Sequence, residues 1–409
     1  MDVQKLFAER IGGEQFGKVK KVFKFTLINN AKQAFIEKNP DVKVIDMGVG
    51  EPEELPSAGI MTALDDAARV KANRIYPCNG ILEFQEAAAR YLQREFGIAV
   101  DPKTEVMHCI GAKTALAQIP LAFVNPGDTV VATTPGYPVL PQAAEWFGAE
   151  VVSLPLEARH GFMPDGAQLA ETIKEKEPKI VLLNYPNNPT GALATRNFLE
   201  RMISLAHEHE FIIVQDAAYA DYVYDGDFIS PLQLDGGKDV TLELYSLSKG
   251  FNMQGYRIGF VAGGAPLVQA FSHVKDNTDN GQFIAIQKAA IHALDSEMDF
   301  LRQNREKYLR RMQRVSAIFS QAGIEVEPSP STFYLYLRVP DEYDGVRLSN
   351  AQDMADLLIS RYGIVTVPWD NAGAYLRLSM TFEVGNDDFP SEDSVLEALS
   401  ERLLQTPRA

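Results

Sequence analysis

A chain of 409 residues, 46% hydrophobic and 10% aromatic, can bury a large core, which excludes a disordered scaffold and favours two domains or one large bipartite domain. Its formal net charge of −16 argues against a general binder of nucleic acids or anionic membranes, although a local basic pocket can still take an anionic substrate. With only Cys78 and Cys109, no apolar stretch of about 18 residues and no amino-terminal signal region, the sequence predicts a soluble, cytoplasmic protein without disulfides.

The order of apolar runs predicts an α/β protein with a mostly parallel sheet. Runs of strand length occur at 43–48, 105–110, 129–133, 151–154, 179–184, 211–216, 242–245 and 257–262. Amphipathic segments with helical spacing separate most of these runs. Continuous apolar strands that alternate with helices imply a sheet whose two faces are both covered by helices.

The last third of the chain has a different pattern. Apolar residues recur at helical spacing among charges from 282 to 322, which predicts long helices, one of which bridges two domains. Strands are expected near 333–339, 364–367 and 375–379, in a smaller α/β domain on which the amino-terminal arm packs. The predicted division is an arm with part of the small domain over 1–45, a large domain over 46–285, and a bridging helix with the small domain over 286–409.

Lys249 lies in a stretch that is suited to an aldehyde bearing a phosphate. A lysine amine can condense with a carbonyl to give a Schiff base, while Ser246, Ser248 and Arg257 can hold a phosphate through charge-assisted hydrogen bonds. Pyridoxal phosphate carries both groups. A Ser-x-x-Lys pattern alone is weak evidence, because most lysines are simply solvated.

Two predicted strands end in polar residues that can contact a cofactor. Ligands of open α/β sheets bind beyond the carboxyl ends of the strands, where Asn188 and Asp216 would lie. A carboxylate at Asp216 can pair with a pyridinium nitrogen and keep it protonated, which makes the ring a better electron sink. In isolation, Asn188 also fits an ordinary Asn-Pro turn, and Asp216 fits a helix cap.

An upstream segment has the pattern of a phosphate site. Gly111, Ala112 and Lys113 follow a short strand and open an apolar helix. The free backbone N–H groups and the dipole of such a helix start favour a bound phosphate. This segment is therefore predicted to contact the same cofactor as Lys249.

These motifs occur in an order that closely resembles the fold-type I pyridoxal-phosphate aminotransferases of classes I and II, from about Val44 to about Ser379. The resemblance implies a large domain with a mostly parallel, helix-covered sheet and a smaller α/β domain. It also implies that Lys249 forms the Schiff base and transfers protons, and that Asp216 pairs with the pyridine nitrogen. By the same resemblance, Asn188 and Tyr219 hydrogen-bond the ring hydroxyl. Arg377 would grip the substrate α-carboxylate, since a guanidinium can make two parallel hydrogen bonds to it.

The resemblance assigns further roles outside these motifs. Tyr137, in a Gly-Tyr-Pro turn that would otherwise pass for a surface turn, matches the aromatic residue that stacks on the cofactor. Tyr76 matches a tyrosine that reaches the cofactor phosphate of the neighbouring subunit, so the resemblance implies a homodimer with shared active sites. The backbone near Gly50 is expected to lie beside the substrate carboxylate.

Two tracts, 245–264 and 279–287, resemble the LL-diaminopimelate aminotransferases in particular. In that family, residues matching Lys113 and, from the other subunit, Asn280 lie near the distal end of the substrate. The family also has a glutamate just after the tyrosine that matches Tyr76, whereas residues 77–79 carry no charge here. The resemblance implies lysine biosynthesis with 2-oxoglutarate as amino acceptor. The uncharged residues 77–79 weaken diaminopimelate as substrate, so aspartate, alanine or another amino acid remains an alternative amino donor.

Other functional classes have weaker support. The segment from Gly48 to Glu53 starts like a dinucleotide loop, but Glu53 stands in the third glycine position and Pro52 interrupts the expected helix. The six histidines form no recognisable ligand set, so no metal is assigned. A carbon–sulfur lyase would use the same lysine and aspartate as an aminotransferase, and only the resemblance favours the transferase. A non-catalytic regulator is least favoured, because the reactive lysine is present.

Overall fold

The structure is a computed structural model, and it describes residues 2–18 and 24–405. Residues 1, 19–23 and 406–409, which fall in the predicted arm and small domain, lie outside the described residues. The strands are β1 (Ile45–Asp46), β2 (Val106–Cys109), β3 (Thr129–Thr134), β4 (Glu150–Pro155), β5 (Ile180–Leu183), β6 (Ile212–Asp216), β7 (Thr241–Ser246), β8 (Gly259–Gly263), β9 (Tyr334–Arg338), β10 (Glu342–Tyr343), β11 (Val346–Arg347), β12 (Ile364–Val365), β13 (Val367–Trp369) and β14 (Tyr375–Ser379).

The helices surround these strands and join most of them. They are α1 (Lys24–Lys38), α2 (Ala58–Ala68), α3 (Leu82–Phe96), α4 (Ala112–Phe123), α5 (Val139–Trp146), α6 (Gly166–Lys176), α7 (Arg196–His209), α8 (Gly237–Val240), α9 (Leu247–Gly250), α10 (Ala265–Thr278), α11 (Ile284–Ser296), α12 (Met298–Gln321), α13 (Ala351–Tyr362) and α14 (Glu392–Gln405). Short 3-10 turns occur at Val3–Leu6, Glu9–Ile11, Gly13–Gln15, Lys71–Arg74, Ala158–His160, Pro231–Gln233 and Gln254–Tyr256.

Seven strands form the main sheet in the order β2-β8-β7-β6-β5-β3-β4. All neighbouring pairs are parallel except those made by β8, which runs antiparallel to β2 and β7. The predicted mostly parallel sheet is therefore confirmed. Side chains alternate between its faces: Val130 and Ala132 pack in a cluster with α4, α5 and α10, whereas Val131 packs with α6 and α7 on the other face.

The carboxyl-terminal part of the chain forms a second, smaller layer. Strands β13, β14 and β9 make an antiparallel sheet with β14 in the centre, and its core includes residues of α12, α13 and α14. Strand β1 pairs in parallel with β12, and Phe35 of α1 packs against Ile359 of α13. The first residues lie elsewhere, since Arg10 donates a hydrogen bond to the carbonyl of Trp146 in α5.

Three of the predicted strands differ from the structure. The run 43–48 forms only the two-residue β1, Ile45–Asp46, which pairs with β12 and not with the main sheet. The run 364–367 is two strands, because Ile364–Val365 pairs with β1 and Val367–Trp369 pairs with β14. A continuous apolar run cannot reveal such a change of partner. The run 257–262 begins later than predicted, at Gly259, because Arg257 has a left-handed backbone with φ of 56°.

A buried ionic cluster ties the segment after β1 to α12 and to the smaller sheet. The side chains of Glu53 and Arg311 are each only 2% exposed, and Arg311 Nη1 donates to Glu53 Oε1 at 2.8 Å. Tyr308 donates to the other oxygen of Glu53, also at 2.8 Å. Arg311 further donates to the carbonyl of Met380 and to the carboxylate of Glu392. Such multiple partners are needed because a buried charge without them is costly.

We expect the substitution Arg311→Met to lower the free energy of unfolding by about 3–5 kcal/mol, because buried carboxylates lose their partner. The matched control is Arg302→Met on the same helix, where the arginine is 63% exposed and pairs with Asp299. That surface pair should contribute less than about 1 kcal/mol. Urea unfolding followed by circular dichroism measures both, and equal effects of the two substitutions would contradict the proposed role of the buried cluster.

Candidate active site

The parallel register brings the predicted motifs to one edge of the main sheet. Asp216 is the last residue of β6 and lies opposite Leu244 of β7, so Ser246 and the α9 turn with Lys249 follow at the same edge. Asn188 follows β5, the other neighbour of β6. Strand β8 starts at this edge because it is antiparallel, which places Arg257 just before it. Motifs about 70 residues apart are thus joined by topology alone.

The amine of Lys249 is enclosed by the segment after β1. Its Nζ donates a hydrogen bond to the carbonyl of Gly50 at 2.6 Å. Burial lowers the pKa of Lys249 to about 8, against an opposing contribution from the carboxylate of Glu51. The positive charges of Arg377 and Arg257 lower this pKa further. An amine with this pKa is partly neutral near pH 8, which is the form that attacks a carbonyl.

The carboxylate of Asp216 is buried with little to stabilise its charge. The residue is 5% exposed, and its Oδ1 accepts a hydrogen bond from the backbone N–H of Ala218 at 3.2 Å. Burial raises the pKa of Asp216 to about 6, even though that N–H and the charge of Lys249 act in the opposite direction. This carboxylate is therefore suited to a cationic hydrogen-bond donor, which would restore its charged form.

Arg377 lies in the central strand of the smaller sheet and reaches the same site. Its Nη1 donates to Asn188 Oδ1 at 3.2 Å, and its Nη2 donates to the carbonyl of Gly48 at 2.8 Å. Its Nε is buried and has no hydrogen-bond partner among the described residues. The guanidinium stacks on the ring of Tyr334 at 4.3 Å. It can therefore accept an anionic partner without losing its position.

Tyr219 and Asn188 each form hydrogen bonds with neighbouring polar groups. The hydroxyl groups of Tyr219 and Tyr334 are 2.8 Å apart, and burial keeps the pKa of Tyr219 well above its ordinary value. Asn184 links the ends of two strands, because its side chain accepts from the N–H of Asn188 and donates to the carbonyl of Asp216. The side-chain amide of Asn188 therefore has a fixed position near the site.

The predicted phosphate-binding residues meet at the start of α4. Gly111 is the residue that caps α4 and has a φ of 75°, and a Cβ atom there would lie only 2.6 Å from Nη2 of Arg257. A side chain at position 111 would thus collide with the arginine, so close approach requires glycine. On the other side, Ser246 caps the α9 turn by accepting from the N–H of Ser248. Ala112 is buried at the first turn of α4.

Three other predicted residues have different degrees of exposure. Tyr137 is half-buried, and its pKa is raised chiefly by burial and then by the charge of Asp216. Lys113 is exposed. Gly50 contributes its carbonyl to Lys249 and lies against Tyr334, whose hydroxyl would be 2.3 Å from a Cβ atom at position 50.

Tyr76 and Asn280 are not brought to this site within one chain. Tyr76 is 79% exposed, and Asn280 is also exposed. Among the described residues, neither side chain has a hydrogen bond to Lys249, Asp216 or Arg377. They stand on neighbouring segments, since a Cβ atom at Gly281 would lie 2.2 Å from the carbonyl of Cys78.

The structure also shows site residues that the motifs did not indicate. Tyr334 contacts both Tyr219 and Arg377, and Glu51 is the carboxylate that most opposes the lowered pKa of Lys249. Neither residue belongs to a recognisable motif. The aromatic content of the predicted strand near 333–339 was the only signal for Tyr334.

Neither a metal site nor a membrane-spanning helix occurs in the part of the chain that the structure describes. Within residues 2–18 and 24–405, no group of three or more histidine, cysteine, aspartate or glutamate side chains could hold a metal ion. Over the same residues, every helix is too short or too polar to cross a membrane.

Comparison with known proteins agrees with this arrangement. The family model described as aminotransferase class I and II matches residues 42–386. An LL-diaminopimelate aminotransferase of Methanocaldococcus jannaschii is 44% identical over 98% of this chain and 97% of its own, and one of Methanococcus maripaludis is 41% identical over 98% of each chain. A solved single mutant of Thermus thermophilus aspartate aminotransferase is 25% identical with a TM-score of 0.85, covering 98% of this chain and 99% of its own. The chain belongs to the class I and II aminotransferases, enzymes that transfer amino groups.

Proposed function

We propose that this aminotransferase binds pyridoxal phosphate and exchanges an amino group between LL-diaminopimelate and a 2-oxo acid such as 2-oxoglutarate. The observation that carries the proposal is the convergence of a partly buried amine, Lys249, a buried carboxylate, Asp216, and the guanidinium of Arg377 at one sheet edge. The substrate rests on the two methanogen relatives, whose names state LL-diaminopimelate and whose similarity covers nearly the whole chain.

The residues present fit this cofactor. Gly111 lies close to the Arg257 guanidinium at the start of α4, where the N–H groups of the first helical turn and a positive charge together suit a phosphate. Ser246 and Ser248 supply hydroxyl groups beside it. The raised pKa of Asp216 indicates a carboxylate that lacks a strong cationic donor. When bound, pyridoxal phosphate supplies an aldehyde for the amine and a protonated ring nitrogen that draws electrons from the substrate α carbon.

Each protein group then has a separate task in the reaction. Lys249 would hold the cofactor aldehyde through Nζ, and its neutral amine is placed to take a proton from the substrate α carbon. Asp216 would pair with the ring nitrogen of the cofactor and keep it protonated. Tyr219 and Asn188 would hydrogen-bond the ring hydroxyl, and Tyr137 would pack against the ring.

Arg377 orients the substrate by its α-carboxylate. Two parallel hydrogen bonds from a guanidinium fix both the position and the rotation of a carboxylate, so the α carbon is directed toward Lys249. The stacked ring of Tyr334 keeps the guanidinium plane from turning. The carbonyls of Gly48 and Gly50 border the same space, which limits the room for water near the α carbon.

The distal end of the substrate would meet Lys113 of the same chain and Asn280 of a second copy. A dimer is supported by several large apolar side chains that one chain leaves exposed, including those next to Tyr76 and near Asn280 in the sequence, because interfaces bury such side chains. These side chains are Leu55, Val70, Ile75 and Phe283, exposed by 73%, 49%, 55% and 46%. Both cysteines are free thiols, which fits the proposed cytoplasmic location. The division at residues 45 and 285 remains part of this proposal: the main sheet lies within 46–285, whereas β1 spans the first boundary and pairs with β12.

A second donor is favoured by one observation. Residues 77–79 are uncharged, so this segment offers no carboxylate to a distal ammonium, and aspartate or alanine needs none. The two proposals differ in a single measurable quantity, the ratio of kcat/KM between donors.

We expect LL-diaminopimelate with 2-oxoglutarate to give a kcat/KM at least about tenfold above those of aspartate and alanine, because its distal polar groups have partners in the site. Initial rates and the absorbance change of the bound cofactor measure this ratio. Lys249→Ala should abolish turnover, whereas Lys238→Met, which breaks an ion pair with Glu105, should leave it intact. Near-normal turnover of Lys249→Ala would contradict the assignment of the Lys249 amine as the group that binds the cofactor aldehyde.

The pKa of Asp216 predicts a pH-dependent effect on stability in cofactor-free protein. A carboxyl whose pKa is raised to about 6 binds its proton more tightly in the folded state, so stability is lost as pH rises from about 4 through 6. Asp216→Asn removes this loss and should raise the free energy of unfolding by about 3 kcal/mol at pH 7.5, with a smaller gain at pH 5. The same variant should bind pyridoxal phosphate more weakly.

Urea unfolding at the two pH values and a titration with pyridoxal phosphate test both parts. The exposed Asp227 offers the matched control Asp227→Asn, which should change neither quantity. A loss of stability at pH 7.5 on Asp216→Asn would show that the carboxylate has a strong native partner and would contradict the cofactor-binding role.

Shared active sites predict complementation between inactive subunits. Lys249→Ala subunits mixed with Tyr76→Ala, Asn280→Ala double-variant subunits should give hybrid dimers in which one site carries every lesion and the other carries none. Such hybrids should regain about half of the wild-type activity per dimer, because one of two equivalent sites is restored. If mass spectrometry proves hybrid formation and no activity returns, Tyr76 and Asn280 act within their own chain.

A further inference from the structure

A fully buried lysine joins two exposed segments that lie far apart in the sequence. Lys275, in α10, is 0% exposed. Its Nζ donates to Asp279 Oδ1 at 2.6 Å and to the backbone carbonyl of Cys78 at 3.4 Å. Since a buried ammonium is costly without partners, Lys275 holds these two groups in fixed positions around it. We call residues 76–80 the first segment and residues 279–282 the second segment.

The carboxylate of Asp279 extends this contact into the second segment. Its Oδ1 also accepts from the N–H of Gly281 at 2.8 Å, and its Oδ2 accepts from Gln118 at 3.3 Å. Burial acts to raise the pKa of Asp279, but the hydrogen bond from Lys275 and the N–H of Gly281 outweigh it, so this pKa lies below its ordinary value. Asp279 is therefore an ionised partner that shapes the backbone of the second segment.

The two segments touch each other through their backbones. Gly281 has a φ of 76°, and a Cβ atom there would lie 2.2 Å from the carbonyl of Cys78, the same oxygen that accepts from Lys275. A side chain at 281 would push the segments apart. Lys275 and Gly281 therefore both support the contact at the Cys78 carbonyl. The lysine donates a hydrogen bond to it, and the glycine lets the second segment approach it closely.

A second bridge joins the other ends of the segments. Gln287 accepts from the N–H of Ile81 at 2.9 Å and donates to the carbonyl of Gln282 at 2.8 Å. Gln282 in turn donates to the carbonyls of Tyr256 and Arg257 at 2.6 and 2.8 Å. The two segments are thus one unit that is anchored to the backbone beside its own phosphate site.

The unit formed by the two segments is buried around Lys275 and exposed on its outer side. Tyr76 is 79% exposed on the first segment, and Asn280 is exposed on the second. We propose that Lys275 is a positioning residue for the other subunit's active site, because it fixes at once the two segments that present Tyr76 and Asn280. This proposal rests on the shared site of the proposed function. Lys275 touches neither cofactor nor substrate, and it acts only through the geometry of the segments.

Which of the two active sites loses activity when Lys275 is replaced distinguishes a positioning role from ordinary stabilisation of the chain. If Lys275 supported its own chain's site, its loss would harm the site that contains the same chain's Lys249. If it positions the two segments for a second copy, its loss harms the opposite site. Two hybrid dimers with the same substitutions in different arrangements separate these cases.

In the first hybrid, Lys249→Ala and Lys275→Met are on different chains, so the one competent site receives unaltered segments. In the second hybrid, both substitutions are on one chain, and the competent site receives the altered segments. We expect kcat/KM of the second hybrid to be about tenfold lower or more, because a displacement near 1 Å is costly in an active site. Differently tagged subunits and tandem purification give each hybrid.

Every outcome of this comparison decides the proposal. A lower activity of the second hybrid supports it. A lower activity of the first hybrid, or equal activities, overturns it. The Tyr76 and Asn280 hybrids described above are measured in parallel, and their failure to complement would overturn the shared site itself, so the two failures are distinguishable. Lys238→Met in place of Lys275→Met is the matched control and should give equal hybrids.

Hydrogen exchange of cofactor-free protein gives a readout that does not depend on activity. Lys275→Met should increase exchange in both segments together, while exchange in the main sheet stays unchanged. The double variant Lys275→Met, Asp279→Leu removes both charges and should regain thermal stability but not catalysis, because an apolar pair can replace a buried ion pair without restoring its directed hydrogen bonds. Restored catalysis in the double variant would contradict a positioning role.

Discussion

The parallel register of β5, β6 and β7 is the constraint on which the site depends. It sets Asp216, Asn188 and the α9 turn side by side at one edge, although no local contact along the chain would do so. The antiparallel β8 adds Arg257 from the opposite chain direction. A one-residue slip in any of these strands would turn its terminal side chain to the other face of the sheet, so the hydrophobic pattern of the strands also fixes the chemistry.

Desolvation then determines how these groups behave. The same burial that lowers the pKa of Lys249 raises that of Asp216, so both groups are shifted toward their neutral forms. The protein tolerates this because the remaining core is large and apolar. Charges with several partners, such as Arg311 and Glu53, lie outside the reacting centre, where they stabilise the fold. The charged groups of the proposed site thus have few hydrogen-bond partners, whereas those of the buried ionic cluster have several.

The sequence predicted the groups that lie at strand ends, because strand pattern and motif point to the same residues there. The strand register places Lys249, Asp216, Asn188 and Arg257 at one edge of the sheet, and their roles there remain predictions. Contacts between the two sheets were not predictable: Tyr219 meets Tyr334, 115 residues away, only after the smaller sheet has docked. Periodicity describes one element at a time, so it also missed the change of strand partner within 364–367.

The six residues from Gly48 to Glu53 contact three separate parts of the molecule. They contact Arg377 through the carbonyl of Gly48, Lys249 through that of Gly50, and α12 through Glu53. Residues 48–53 therefore connect Arg377 of the smaller sheet with the turn that carries Lys249 and with α12. If Arg377 holds the substrate carboxylate as proposed, a shift of residues 48–53 would change the distance between that carboxylate and Lys249. A substitution on the buried face of α12 that displaces Glu53 would then change reaction rates without touching the substrate.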